Sequence, residues 1–154
     1  MRILLVAYQN KGYFVPFIVE QVDALKLLGM EIEYFGVHGK GICGSSREQV
    51  NWAINVANCL LMTSHREGSL QVDKEALTCE TPIVSVDVGD VKGVTDGNDG
   101  CYVTSYDAQK IADNLQLAFA FQGKTKGPQR IVERYLSNEL VAKQIIEIYQ
   151  KVIE

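Results

Sequence analysis

Glu67 and Glu75 stand eight residues apart around Thr63-Ser64-His65-Arg66-Glu67-Gly68-Ser69, a segment joining an apolar run to a helical one. Gly68 lacks a Cβ and lets a ligand approach the backbone, and Ser69 is a residue type that caps helices. With Ser69 as cap, the N–H groups of Leu70 to Val72 are unpaired donors of the first helical turn. The helix dipole strengthens them as an anion site, suited to a diphosphate. Read from local pattern alone, such a turn needs no ligand, since strand-to-helix connections commonly contain Gly and Ser. Glu67 precedes the helix and Glu75 lies about two turns inside it, at about 1.5 Å of rise per residue. That spacing lets both flank one ligand lying across the helix start. Carboxylates accept paired sugar hydroxyls, so a nucleotide sugar fits the chemistry. Two Glu beside one helix, taken alone, are ordinary solvated charges.

Other chemistry-bearing residues are weaker candidates. Gln9-Asn10-Lys11-Gly12 is neither a G-x-G-x-x-G turn nor a P-loop. His38 and His65 have no Ser or Cys partner at recognisable spacing, so solvated or capping roles are expected. Cys43, Cys59, Cys79 and Cys101 form no C-x-x-C pair, which argues against a zinc site or redox motif. Lys124, Lys126, Arg130 and Arg134 form a basic stretch expected to be a solvated loop. Tyr8, Tyr13 and Phe14 have the type to stack on a sugar, but burial is the commoner fate of aromatics.

Alternating strands and helices position these residues. Ile3 to Ala7 is an apolar run of strand length, the pattern of a parallel strand covered on both faces. A helix opens near Pro16, repeats apolar residues at Phe17, Ile18, Val22, Leu25 and Leu28, and stops at Gly29. Glu31 to Phe35 is a second strand, completing a βαβ unit in residues 1–36. A glycine-rich joint, 37–45, follows, preceded by Gly36. Ser46-Arg47-Glu48-Gln49 is a capping box opening a second helix. Further strands are expected at Cys59 to Thr63, Ile83 to Val86 and Cys101 to Val103, with helices at Leu70 to Cys79 and Asp107 to Phe121. Asp87 to Gly100 is expected as a long surface loop with at most one helical turn. Two more helical segments follow Pro128, the last capped by Ser137 or Asn138. The pattern predicts an α/β chain, a Rossmann-like doubly wound, mostly parallel sheet of about five strands.

Length and composition bound the reading. With 154 residues, 47% hydrophobic and 22% charged, the chain is expected as a single compact α/β domain, 1–154. A formal charge of -4 argues against nucleic acid as a partner. No run approaches the roughly 20 apolar residues of a membrane span, and the apolar N-terminus ends at Tyr8 without a small-residue cleavage site. Free cysteines fit a reducing, cytoplasmic setting.

The stretch from Ser64 to Val84, with E-x7-E inside S-x-x-E-G and E-A-L-x-C-x-x-P-I-V after it, resembles the donor-binding signature of family 4 retaining glycosyltransferases of the GT-B fold. Val86 to Asp90 and Asp96 to Gly100 look like that family's following loops, and the match covers about 46–154, the donor-binding part. Residues 1–36 look like the family's first βαβ unit, so the chain corresponds to parts of a GT-B glycosyltransferase. The resemblance implies a nucleotide-sugar donor (UDP- or GDP-hexose), transfer to a glycan or lipid-linked acceptor in polysaccharide biosynthesis, and no metal or cofactor. It implies that Glu75 holds the ribose hydroxyls, that Glu67, Gly68, Ser69 and Leu70 meet the transferred sugar, and that Gly12 takes the place of an N-terminal glycine loop. It leaves the catalytic residues unassigned. A place at the inner face of the membrane and self-association are further expectations. The alternative is a non-catalytic remnant acting as a binding or interaction domain. The chain departs from the family at Glu80 (usually Gly), Asp73 (usually apolar), Leu70 (usually Pro) and Gly93 (usually Glu). The segments supplying the family's diphosphate-binding Arg and Lys have no counterpart.

Overall fold

The computed structural model describes residues 2–6, 9–10, 13–14, 16–27, 29–35, 46–68, 70–134 and 136–153. The strands are β1 (Arg2–Val6), β2 (Gln9–Asn10), β3 (Tyr13–Phe14), β4 (Glu31–Phe35), β5 (Cys59–Met62), β6 (Ile83–Val86) and β7 (Cys101–Thr104). The helices are α1 (Pro16–Leu27), α2 (Arg47–Val56), α3 (Gln71–Thr78), α4 (Val91–Thr95), α5 (Ala108–Ala120), α6 (Gly127–Glu133) and α7 (Asn138–Ile153).

Five strands form one parallel sheet in the order β4-β1-β5-β6-β7. β1 pairs with β4 on one side and with β5 on the other, Ile3 standing opposite both Ile32 and Cys59. The chain therefore leaves β1 toward one edge and returns to build toward the other, which places the switch point between β1 and β5. Residues on both sides of the glycine-rich joint share this sheet; the joint itself, with His38 and Cys43, lies outside the described residues.

Strand side chains alternate between two packed faces. Ile3, Leu5, Cys59, Leu61 and Val84 meet Val22 and Leu25 of α1 and Ile111 and Leu115 of α5. Leu4, Leu60 and Ile83 meet Ile54 of α2, Ala76 and Leu77 of α3 and Val94 of α4. Burial on both sides explains why these strands are apolar without alternation.

Helix ends follow local chemistry. Ser46 and Gln49 form the expected capping box on α2, Asp107 caps α5, and Leu140 N–H donates to Ser137 Oγ at 3.4 Å. At the end of α3, Thr81 N–H donates to Ala76 O at 2.9 Å and Glu80 N–H to Leu77 O at 3.0 Å, the paired bonds of a Schellman motif. That motif holds Glu80 at φ +58°. The glycine usual at this position would adopt it without strain.

Three expectations change. Residues 9–14 include a small antiparallel ribbon, β2 with β3. The segment after β6 is no mere surface loop, because α4 buries Val91, Val94 and Thr95. The basic stretch after Phe121 is also engaged: Lys124 pairs with Glu80, while Arg130 donates to Asp96 O at 2.7 Å and holds the end of α4. Among the described residues no helix is long and apolar enough to cross a membrane.

Candidate functional site

β5 delivers the segment 63–68 to the carboxyl edge of the sheet beside the switch point. Thr63 and Ser64 are buried there, and their hydroxyls have no hydrogen-bond partner among the described residues. Tyr106, from the loop after β7, fixes the turn from the side. Its hydroxyl donates to Ser64 O at 3.0 Å, and its ring stacks on His65 with centroids 4.2 Å apart and 14° between planes. Gln21 of α1 donates to Tyr106 O at 3.1 Å, so three elements hold one loop. His65 itself remains exposed.

Gly89, in the loop after β6, supports the same turn from below. At φ +57°, a Cβ on Gly89 would lie 2.8 Å from Gly68 O and 2.9 Å from Glu67 O. Gly68 itself faces open space, since a Cβ there meets nothing within 4 Å. The protein's own packing therefore does not require its glycine; the space it leaves is open to a ligand.

Glu67 and Gly68 line an open depression of about 540 Å³ with His65, Arg66, Val88 and Gly89. Glu75 lines a different cavity of about 660 Å³ between α2, α3 and the start of α7, with Arg47, Asn51, Gln71 and Lys74 at its polar end. The two carboxylates are therefore not brought into one pocket. They occupy neighbouring ones, with the first turn of α3 between them. Arg47 Nη1 approaches Glu75 Oε1 at 4.0 Å, but the arginine is almost fully exposed and the pair is weak.

The start of α3 differs from the expected open anion site. Leu70 occupies the cap position and makes no side-chain cap bond. Ser69, the expected cap, and Gly12 lie outside the described residues. The N–H of Leu70 is also not free: it donates to Asp90 Oδ1 at 3.2 Å, while Asp90 Oδ2 pairs with Lys74 Nζ at 2.7 Å. A carboxylate from the loop after β6 satisfies one of the three amides, that of Leu70, that a ligand anion was expected to meet.

Asp73, in the same turn, is 1% exposed, and neither carboxyl oxygen is hydrogen-bonded among the described residues. Ser85 lies beside it, with its hydroxyl directed to Val86 O at 3.2 Å. Burial raises the Asp73 carboxyl to about 7, Asp90 and Glu67 push the same way, and Ser85 and Lys74 oppose. Burial also raises the Cys59 thiol and pushes that of Cys101 up to about 12, so neither is a ready nucleophile. Among the described residues no group of three or more His, Cys, Asp or Glu is placed to hold a metal ion.

Arg47, Lys74, Gly89, Asp90 and Tyr106 adjoin the candidate site and were not singled out by the motif. Asp90 is twenty residues from Leu70 and Tyr106 forty-two from Ser64. Only the pairing of β5, β6 and β7 brings them together.

No curated protein matches the sequence. Among solved structures, the chain is similar to UDP-GlcNAc 2-epimerase from Methanocaldococcus jannaschii, in complex with UDP-GlcNAc and UDP. The TM-score is 0.67 with 14% identity, covering 97% of this chain and 45% of that one. It is equally similar to sucrose-phosphate synthase from Thermosynechococcus elongatus, with a TM-score of 0.67 and 19% identity over 98% of this chain and 38% of that one. These likenesses establish the shared Rossmann-like fold, and the chain spans less than half the length of either protein. The family model for glycosyl transferases group 1 matches residues 20–120, more than half of the chain and all of the turn, helix and loops that carry Glu67, Glu75 and Asp90. The chain belongs to the group 1 glycosyl transferases.

Proposed function

We propose that the chain binds a nucleotide sugar across the first turn of α3 and serves hexosyl transfer of the retaining family 4 type to a glycan or lipid-linked acceptor. The observation that carries this reading is the arrangement of two cavities on either side of one helix start. One holds Glu67 beside the open space at Gly68, the other holds Glu75. An extended donor has matching parts: the hexose hydroxyls meet Glu67, the diphosphate lies over the amide end of α3, and the ribose hydroxyls meet Glu75. Arg66 lines the first cavity and Arg47 and Lys74 the second, and these cations would offset the charge that develops on the diphosphate leaving group. The solved relative in complex with UDP-GlcNAc and UDP supports a nucleotide-sugar ligand for this architecture.

Titration with UDP- and GDP-hexoses by calorimetry tests the assignment. Glu75→Ala is expected to weaken binding about tenfold or more, the scale of losing a charged hydrogen-bond acceptor. Gly68→Ala is expected to fold normally, because its Cβ meets no protein atom, and yet to weaken hexose-nucleotide binding more than binding of the free nucleotide. Equal affinity in parent and Glu75→Ala, or no binding to either, rejects the site.

A second reading, an interaction domain without transfer activity, is favoured by α7. Val141, Ile145, Ile146, Ile148, Tyr149, Val152 and Ile153 are all exposed, and the helix has no buried residue. An apolar face of this kind favours self-association. A monomeric mass by light scattering at high protein concentration, together with transfer of labelled hexose above background, would discard it.

A further inference from the structure

We propose that Asp90 acts as an intramolecular anion that occupies the phosphate position at the start of α3, so that a ligand's phosphates must displace it and Asp90 sets their affinity. The inference rests on the donor reading above for its natural ligand, a nucleoside diphosphate, and deepens it.

Geometry carries the assignment. Asp90 immediately precedes α4, but its side chain makes no cap hydrogen bond to that helix among the described residues. It reaches to α3 instead. One carboxylate oxygen accepts from Leu70 N–H at 3.2 Å, and the other lies 2.7 Å from Lys74 Nζ. These are the backbone donor and the cation that a phosphate would use there, bridged as a phosphate would bridge them. Lys74 is held in that bridge with its side chain only 13% exposed.

The surrounding charge agrees with a site closed to anions in its present form. Asp90 and Glu67 both lie close enough to Asp73 to push its carboxyl up, and Lys74 opposes them. With Asp90 in place, an incoming diphosphate meets carboxylates and an amide already satisfied. With Asp90 swung away, it meets the amide of Leu70 and the ammonium of Lys74 with no carboxylate bridging the two. The carboxylate is one-third exposed, so the outward path is open.

The test separates this role from simple capping. Binding of inorganic pyrophosphate and of UDP to the full chain is measured for the parent, Asp90→Asn, Asp90→Ala and Asp87→Asn. Asn keeps an acceptor for Leu70 N–H and removes only the charge, which guards against loss of folding. Asp87 is exposed, in the same loop, and controls for net charge. The expected result is about tenfold tighter pyrophosphate and UDP binding in both Asp90 variants, as removal of one nearby unit charge predicts, with Asp87→Asn within about twofold of the parent. The amide signals of Leu70 and Gln71 should shift with pyrophosphate in the variants at lower concentration than in the parent. If UDP binds parent and Asp90 variants equally, Asp90 is only a structural cap; the inference falls and the donor reading stands. If pyrophosphate binding tightens while UDP-hexoses bind nothing, the inference stands and the donor reading falls. Equal tightening in Asp87→Asn, or no anion binding in any form, overturns the inference.

Discussion

Asp73 and Glu80 are two of the departures from the family resemblance drawn above, and the cost of each can be located. Asp73 is buried without a hydrogen bond among the described residues, and its carboxyl is raised to about 7. The native state therefore holds a proton that the unfolded chain, with an ordinary carboxyl near 3.8, releases first. Between about pH 4 and pH 7 the unfolded state binds fewer protons, so stability falls as pH rises through this window and levels off above it. The loss is at most about 4 kcal/mol on the linkage scale of about 1.4 kcal/mol per pH unit. Urea denaturation from pH 4 to 8 checks it. Asp73→Leu is expected to flatten the profile and to be more stable than the parent above pH 7. Glu80 holds φ +58° at the Schellman turn, and Glu80→Gly is expected to stabilise the chain by about 1 kcal/mol, the cost of a Cβ in that region. The Glu80–Lys124 ion pair lost in the exchange is exposed and offsets little of this. A lower thermal midpoint for Glu80→Gly would show that the pair outweighs the strain.

At the scale of elements, two close backbone approaches hold the site in shape. Gly127, at the start of α6, lies so near α3 that a Cβ there would be 2.0 Å from Leu77 O. Gly127→Ala must push α6 off α3, and a loss of more than about 2 kcal/mol is expected from the disrupted packing. Gly89 presses against the backbone of Glu67 and Gly68. Gly89→Ala is expected to displace that turn and impair sugar-nucleotide binding far more than Gly68→Ala does. Comparing the two alanine variants by calorimetry and thermal melting separates support from access. Helices and most strands were legible from local signals: the apolar run at Ile3, the capping box at Ser46, Gly29 after α1. The segment 87–100 was less legible. Its Gly and Asp content marks turns, while the burial of Val91 and Val94 under α4 depends on neighbours outside the segment.

At the scale of the molecule, the parallel pairing of β1 with both β4 and β5 puts Arg2–Val6 and Glu31–Phe35 in the same sheet as β5, β6 and β7. Ile3 and Leu5 enter one core and Leu4 the other, so both depend on β1. A chain beginning at Ser46 would expose one edge of β5 and lose these contacts. We expect it to show no cooperative thermal transition by circular dichroism; cooperative melting close to the parent's would mean that 46–154 is a domain by itself.

The sequence alone determined the α/β class, the succession of elements and the two glutamates around a helix start, because these rest on local periodicity, capping and spacing. The departure at Glu80 was visible through the family resemblance alone, and the structure places it at φ +58° in the Schellman turn. Tertiary structure decided the rest. Strand order brought Asp90 and Tyr106 onto a turn twenty and forty-two residues away, divided Glu67 and Glu75 between neighbouring cavities, and gave Leu70's N–H a carboxylate partner. A hydrogen bond across a sheet depends on which strands pair and in what register, and neither distance nor direction in space is contained in the spacing of residues along the chain.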